Sequence, residues 1–297
     1  MKLYAPKYYK NFKCIADKCT HSCCIGWEID VDKEAMKRYS KLKNGYGKEI
    51  KNSIERKDTP HFKLKENDKC PHLDNNGLCK IIINCGEDYL CSICREHPRF
   101  YNYTNYGKEV GLGMSCQEAC RIILSSRDYD KMIEIQNINE EIDIIDFDAI
   151  PHRKKLYSIL KNDEFSYTQK LEAIYNEYEI SPSIINDDRW IKCLSDLEYL
   201  DTNHKKLFLN YSSKIDDTYR LENILAYLIY RHCTEAINKK EHLVCLCLCL
   251  FLERLLASML ENNRDYDIIE MARILSEEIE YSTDNIDAIK ALIEEAI

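Results

Sequence analysis

"FKCIADKCTHSCCIGWEID", residues 12–30, places four cysteines within eleven positions, two of them adjacent. Its other residues are largely Lys, Asp, Thr, His, Ser and Gly, the vocabulary of a loop. Free cysteine packs as a small hydrophobe where an apolar segment surrounds it. No such segment surrounds these four, so burial does not account for the sulfur. Outward from this stretch the pattern continues in blocks: Cys70 and Cys79; Cys85, Cys91 and Cys94; Cys116 and Cys120. Eleven of the sixteen cysteines precede residue 121.

Zinc favours two tight pairs of Cys or His, such as C-x2-C twice. Only Cys91 and Cys94 have that spacing. His21, His72 and His97 lie among the cysteines without forming an H-x3-H pair. The side chains of adjacent Cys23 and Cys24 diverge and fit poorly on one tetrahedral ion. An iron–sulfur cluster takes thiolates from separate loops, commonly four, which suits widely spaced blocks. Spacing alone leaves both metals open. The C-x3-C-x2-C pattern of radical S-adenosylmethionine enzymes is absent, because Gly26 and Ile123 stand where its third cysteine would be.

The last five cysteines read differently. Cys193, Cys233, Cys245, Cys247 and Cys249 sit in apolar helical sequence. At about 100° per residue, Cys245, Cys247 and Cys249 point to different sides of one helix and cannot face one metal. They are expected to be core residues.

Composition sets the frame. The 297 residues are 45% hydrophobic and 31% charged, with 8 Gly, which excludes a disordered chain and favours helices. Residues 1–120 carry 21 Lys and Arg against 16 Asp and Glu, whereas the remainder carries 21 against 35. This asymmetry predicts two parts with different tasks. No basic stripe with interleaved aromatics appears, so nucleic acid is not an expected partner. "MKLYAPKYYKNF" at the start lacks the apolar core of a signal peptide. The most apolar run, "LVCLCLCLFL" at 243–252, falls short of the roughly 20 residues of a membrane span. A cytoplasmic location without membrane partners is expected, where reduced thiols point to metal or catalysis.

The predicted fold class is mainly α: a cysteine-rich metal or cluster domain over 1–125, an acidic junction over 126–151 ending near Pro151, and an all-helical domain over 152–297. Short helices are expected in "DKEAMKRYSKLKNGYGKEIKNSIE", a turn at "NNG" 75–77, and a helix over 86–97 that stops before Pro98. Beyond the junction, helices are expected at 152–161, 166–178, 187–199, 220–237, 240–262, 266–280 and 284–297. Thr283-Asp284 is the expected cap of the last. Leu221, Ile224, Leu225, Leu228 and His232 form a 3.6-residue stripe.

Read together, C-x4-C-x3-CC-x2-W at 14–27, C-x2-L…G-x-C at 70–79, C-x3-PR at 94–99 and SC-x-E-A at 115–119 resemble the flagellin lysine-N-methylase family and its iron- or zinc-chelating cysteine domain. "LENILAYLIYRHC" at 221–233 resembles the family's helix ending in Arg-His. "EEIEYSTDNI" at 277–286 resembles its C-terminal segment, with Tyr281 where His is expected. The family often has an aromatic at the position of His97. By this resemblance the recurrent cysteines are Cys14, Cys19, Cys23, Cys24, Cys70, Cys79, Cys94 and Cys116, whereas Cys85, Cys91 and Cys120 are peculiar to this chain.

The resemblance implies methyl transfer from S-adenosylmethionine to lysine amines of a protein substrate, flagellin, with a [4Fe-4S] cluster (or zinc) on those eight cysteines. The alternative is a metal-chelating or redox-sensing module without methyl transfer. A Rossmann-type donor site is not expected, since "EVGLGMS" at 109–115 lacks the third Gly and a βαβ setting and reads as a loop. Trp27 and Arg99, inside the matched motifs, are the candidate cofactor-binding residues: Trp27 as adenine platform or core anchor, Arg99 as carboxylate binder or ion-pair partner. Arg231, at the edge of an apolar stripe, is expected to snorkel, and Asn285 to start a helix. No residue is assigned as the catalytic base.

Overall fold

The structure is a computed structural model and describes residues 1–43, 45–56, 58–140, 146–185, 189–213 and 221–297. Parts of four expected features fall outside these residues: residue 44 in the stretch of short helices, the junction at 141–145, the helix start at 187–188, and the helix start at 220. The described strands are β1 (Lys2–Pro6), β2 (Ile54–Arg56), β3 (Pro60–Phe62), β4 (Arg99–Thr104), β5 (Gly107–Leu112) and β6 (Met132–Asn137). Two compact units result. One comprises residues 1–12, 99–115 and 119–297; the other comprises 13–98 and 116–118.

The larger unit is built on a four-stranded sheet of order β4-β5-β1-β6. β4 and β5 form an antiparallel hairpin in which Arg99 faces Leu112 and Thr104 faces Gly107. β1 runs parallel to β5 and antiparallel to β6. Gly107 has φ +154°, and a Cβ there would meet the Lys2 carbonyl oxygen at 2.5 Å, so the close approach of β1 requires glycine. This sheet changes the expected division of the chain. The ends of the cysteine-rich segment belong to the helical unit, because the first strand pairs with residues a hundred positions later. "EVGLG" is strand rather than loop.

Helices supply the rest: Ile150–Leu160, Tyr167–Glu177, Arg189–Asp196, Lys205–Leu209, Glu222–His232, Lys239–Asn262, Ile268–Leu275 and Thr283–Glu294. The described residues of 152–297 are mainly helical as expected, but they share their unit with the sheet. The helix starting at Tyr167 carries a capping box from Ser166 and Gln169, which satisfies two end groups reciprocally. The last helix is capped by Ser282, whose hydroxyl accepts from the Asn285 amide, not by Thr283-Asp284. Between the last two α-helices lies a π turn, Ser276–Glu280.

Helix Lys239–Asn262 is the axis of the core. Long and apolar enough to cross a membrane by composition, its most apolar window is 89% buried within the protein. Cys245, Cys247 and Cys249 are all buried along it, and Cys249 Sγ lies 3.7 Å from Cys233 Sγ. Trp190 stacks on Phe251 with ring centroids 3.7 Å apart. A buried bidentate pair, Arg153 to Glu109 at 2.7 Å on both sides, ties β5 to helix Ile150–Leu160. Such a pair is costly to desolvate and fixes orientation more than it stabilises.

The smaller unit has helices Lys33–Lys41 and Gly45–Asn52, the hairpin β2–β3, and short helices Lys80–Cys85 and Ser92–Glu96. Asp32 caps the first through the amides of Glu34 and Ala35 and reaches the Ser92 amide at 2.7 Å. The helix expected over 86–97 is broken: a 3-10 turn at Glu87–Tyr89 precedes Ser92–Glu96. The turn at 75–77 is present, with Gly77 at φ +78° and Asp74 accepting from the Asn76 and Leu78 amides. Ile29, Val31, Tyr39, Ile50, Phe62 and Ile81 form the core together with Cys70 and Cys91.

Candidate functional site

In the smaller unit the short elements bring thiols from distant blocks together. Cys70 and Cys91 lie in the core, and Cys24, Cys79, Cys85 and Cys94 pack against it. The Cys70 amide donates to the Cys24 carbonyl at 2.8 Å, which closes the first block onto the second. The Tyr39 hydroxyl lies 3.3 Å from Cys91 Sγ. Cys14 and Cys23 are exposed. Cys19 Sγ donates to the Gln117 side chain at 3.2 Å, and the Thr20 amide reaches the same oxygen at 2.9 Å, which holds the first loop beside Cys116. Cys120 belongs to the larger unit, where its thiol meets the Ile269 carbonyl at 3.5 Å.

The thiols perturb one another. The hydrogen bond from Cys23 holds the Cys24 thiol down to about 7, and Cys23 itself is pushed up by that bond and by the neighbouring Cys116 and Cys14. Burial raises Cys70 to about 12, with Cys24 and Cys79 adding to it. Cys94 is raised by its bond to Cys91 and by Cys24 and Cys70, while Cys91 is lowered by the same bond. Gathered half-buried thiols that oppose one another's ionisation are a donor set for a thiophilic cation, which removes the repulsion. Among the described residues, no three of these sulfurs lie mutually within 4.8 Å. One tetrahedral zinc holds its sulfurs about 3.8 Å apart; a cluster spreads its ligands more widely. The donor types suit either metal of thiolate chemistry, iron–sulfur or zinc.

His72 is not part of it. Its Nδ1 meets the Tyr46 hydroxyl at 2.7 Å and its Nε2 the Ser53 hydroxyl at 2.8 Å, so both nitrogens are engaged. Of the two candidate cofactor residues, Trp27 is half-buried in the smaller unit and Arg99 lies in the larger. Arg99 donates to the Tyr9 hydroxyl at 2.8 Å, and its guanidinium sits 5.6 Å from the Phe12 ring centre; the aromatic side of its chemistry is the one in use.

The larger unit unites the two helical motifs that the sequence singled out separately. Glu222–His232 ends in Arg231 and His232, and the π turn delivers Glu280 against both. His232 Nε2 lies 2.8 Å from Glu280 Oε1, Arg231 Nε 3.3 Å from the same oxygen, and the Tyr227 hydroxyl donates to Oε2 at 3.2 Å. The Arg231 guanidinium lies 4.9 Å from the Phe100 ring centre and 4.6 Å from that of Tyr281. Arg231 therefore does not snorkel: its charge is held inside by a carboxylate and two aromatic faces. Gly113 completes the wall, since a Cβ there would meet the Tyr281 hydroxyl at 2.1 Å and Arg231 Nη1 at 3.0 Å.

Burial alone would raise the Glu280 carboxyl, but the Arg231 charge and the His232 hydrogen bond outweigh it and leave it below the usual range. Burial depresses His232, and Glu280 only partly restores it. The centre thus holds a carboxylate beside a neutral imidazole. With Glu280 ionised, Nε2 carries the imidazole proton and Nδ1 is the basic nitrogen.

The π turn exposes none of its acids. Glu277 pairs with Arg273 at 2.5 Å, and Glu278 accepts from His204 at 2.7 Å and from the Leu200 and Asp201 amides. His204, Glu277 and Glu278 bring ligand-type atoms within 4.8 Å, yet these protein partners already occupy the two carboxylates. Asn285 braces the turn, donating to the Glu278 carbonyl at 2.8 Å and to the Glu198 carbonyl at 2.7 Å. Single-turn π segments often mark functional sites. Glu280, Tyr227 and Gly113 escaped sequence reasoning. A legible signal was present: four residues, Glu277 to Glu280, carry three acids where an amphipathic helix would turn its apolar face inward.

Fold and site define a mainly α protein that carries a thiol-rich unit and a buried Arg–His–Glu centre. The model of the FliB lysine N-methylase C-terminal domain matches residues 109–297, and the chain belongs to that family. The match contains the whole Arg–His–Glu centre. Over 132 residues the chain is 30% identical to the flagellar biosynthetic protein FliU of Salmonella muenchen, covering 41% of this chain and 77% of that protein. The same identity and length relate it to lysine-N-methylases of Salmonella choleraesuis SC-B67 and Salmonella typhimurium LT2, covering 32% of each. The matched region spans about a third of those two enzymes' length. No solved structure matches the chain.

Proposed function

We propose that the protein transfers methyl groups from S-adenosylmethionine to lysine side chains of a protein substrate, flagellin, in the cytoplasm. The observation that carries this reading is the lysine N-methylase family match over residues 109–297 coinciding with a buried centre that pairs a carboxylate with a neutral histidine. The relative named for flagellar biosynthesis supports the substrate.

The chemistry asks for a neutral lysine amine, although free lysine has a pKa of about 10.4. His232 is the proton acceptor in this reading, with Glu280 fixing its tautomer and orientation and Arg231 fixing Glu280. Tyr227 and Gly113 hold that arrangement in place. The N-terminal thiols, Cys24, Cys70, Cys79 and Cys94 with Cys14, Cys19, Cys23 and Cys116, would hold iron–sulfur; such a group supplies a Lewis-acidic iron able to orient the polar end of the donor. Cys91, packed among them beside Tyr39, joins the candidate set.

The test is incubation of anaerobically prepared protein with flagellin and label-bearing S-adenosylmethionine, followed by mass spectrometry. Label on lysine ε-nitrogens is the expected outcome. Donor binding with no transfer to flagellin or to a co-encoded protein would leave the sensing module as the function.

A further inference from the structure

A third cluster, separate in its residues from the thiols and from the Arg–His–Glu centre, lies in the larger unit. His152 stands in the first turn of helix Ile150–Leu160, Tyr178 caps the C-terminus of helix Tyr167–Glu177, and His242 lies in the first turn of helix Lys239–Asn262. The two imidazole centroids are 4.7 Å apart, and the Tyr178 ring stands 6.0 Å from His152 and 5.8 Å from His242. Phe147 stacks on His152 at 5.2 Å and borders His242 at 5.5 Å. His242 is only 2% exposed, yet its Nε2 has no hydrogen-bond partner among the described residues. A buried polar nitrogen in that state is costly unless a ligand meets it. The Tyr178 hydroxyl stands 3.4 Å from His152 Nδ1 and 3.4 Å from the His152 carbonyl oxygen, both beyond the usual length of a hydroxyl hydrogen bond.

We infer that His152, His242 and Tyr178 form a binding site for one divalent transition-metal ion of the borderline class, such as zinc, with solvent in the fourth position. The donor types agree: imidazole suits zinc and nickel, and a phenol oxygen becomes a ligand when the ion's charge displaces its proton. The spacing agrees as well. Zinc–nitrogen bonds of about 2.1 Å put two donors on a tetrahedral ion about 3.4 Å apart, which is the separation of the Tyr178 hydroxyl and His152 Nδ1. An imidazole centre then lies about 3.2 Å from the ion, and two such centres lie about 5 Å apart, against 4.7 Å here. Burial holds the His242 pKa down to about 4, so its imidazole is neutral at pH 7, the form that ligates. Aromatic packing alone leaves the His242 nitrogen unsatisfied; an ion among the three rings engages it. The site depends neither on the thiols nor on methyl transfer. It would tie together the ends of three helices, while the buried run of Lys239–Asn262 beyond it is held by packing and does not need the ion.

The experiment titrates the full chain, isolated without oxygen, with zinc and separately with cobalt(II), and compares it with His152→Gln and Tyr178→Phe. Tyr178→Phe keeps the ring and its packing and removes one donor atom, so it separates ligation from packing and carries the test if His152→Gln fails to fold. The thiols of the smaller unit also take metal on the proposed reading, so the readout is the difference between chains. After gel filtration the parent is expected to retain about one zinc ion per chain more than His152→Gln. Tyr178→Phe should bind that ion about ten-fold or more weakly. Cobalt in this site should show d–d absorption without sulfur-to-metal charge transfer, and that component should vanish in His152→Gln. Equal zinc content and affinity in the parent and both variants overturns the site. So does a cobalt difference spectrum dominated by sulfur charge transfer, which would place the ion on the thiols.

Discussion

His232 Nε2 lies 2.8 Å from Glu280 Oε1, and that carboxylate side chain has no solvent exposure. The two residues are 48 positions apart and sit on elements that would each be unremarkable alone, a helix C-terminus and a π turn. A buried carboxylate without a partner costs several kcal/mol; here Arg231, His232 and Tyr227 share it. The arrangement is compensated, yet it leaves a neutral imidazole next to a negative charge, which is a useful state for accepting a proton.

Replacing Glu280 by Gln keeps the shape and removes the charge. Loss of the anion lowers the His232 pKa further, so the acid limb of the rate profile should move to lower pH. The rate at its plateau should fall by about 100-fold or more, the usual scale for disabling acid–base catalysis. Methyl transfer measured from pH 5 to 9 checks both; an unchanged profile would remove His232 and Glu280 from the chemistry.

Gly113→Ala inserts a methyl group where the Tyr281 hydroxyl and Arg231 already stand. Overpacking of this kind costs about 1–3 kcal/mol. The nearest atom is the hydroxyl, so adding Tyr281→Phe should recover much of the lost stability. Thermal unfolding of the single and double variants measures the coupling.

Two buried histidines set an acid limit on stability. Burial holds His72 and His242 each at about 4, below the ordinary 6.5. Between these values the unfolded chain binds more protons than the folded one, so stability rises with pH. It is fully present above about 6.5 and lost as pH falls towards 4, by up to about 3 kcal/mol per histidine. Urea unfolding at pH 7, 5.5 and 4.5 should show this slope, and His242→Gln should flatten it. A slope that His242→Gln leaves unaltered would count against the buried neutral state.

Changing Cys245, Cys247 and Cys249 together to Ala should destabilise the core helix by about 1 kcal/mol or more per residue through lost packing. Metal content should not change. Metal analysis beside a melting curve separates the two effects.

On the proposed reading of the N-terminal thiols as metal ligands, removing the metal should loosen the smaller unit selectively, because its helices are short and its core shares space with those thiols. Hydrogen exchange after chelation is expected to rise over 29–98 and to stay unchanged over 239–262.

Local pattern carried much of this protein. Cysteine blocks in loop-type sequence marked a donor set, and 3.6-residue periodicity located the helices, because both are properties of neighbouring residues. Helix ends were read less well: Ser282 caps where Thr283-Asp284 was expected, since capping depends on which hydroxyl reaches an amide in three dimensions. The sheet was invisible beforehand. β1 is a five-residue strand whose partners lie at 107–112 and 132–137, and pairing across such separations leaves no local trace. The same holds for the sites. Sequence named Arg231 and Asn285 but not Glu280. A buried charge is defined by what surrounds it, and only the tertiary structure brings those surroundings together.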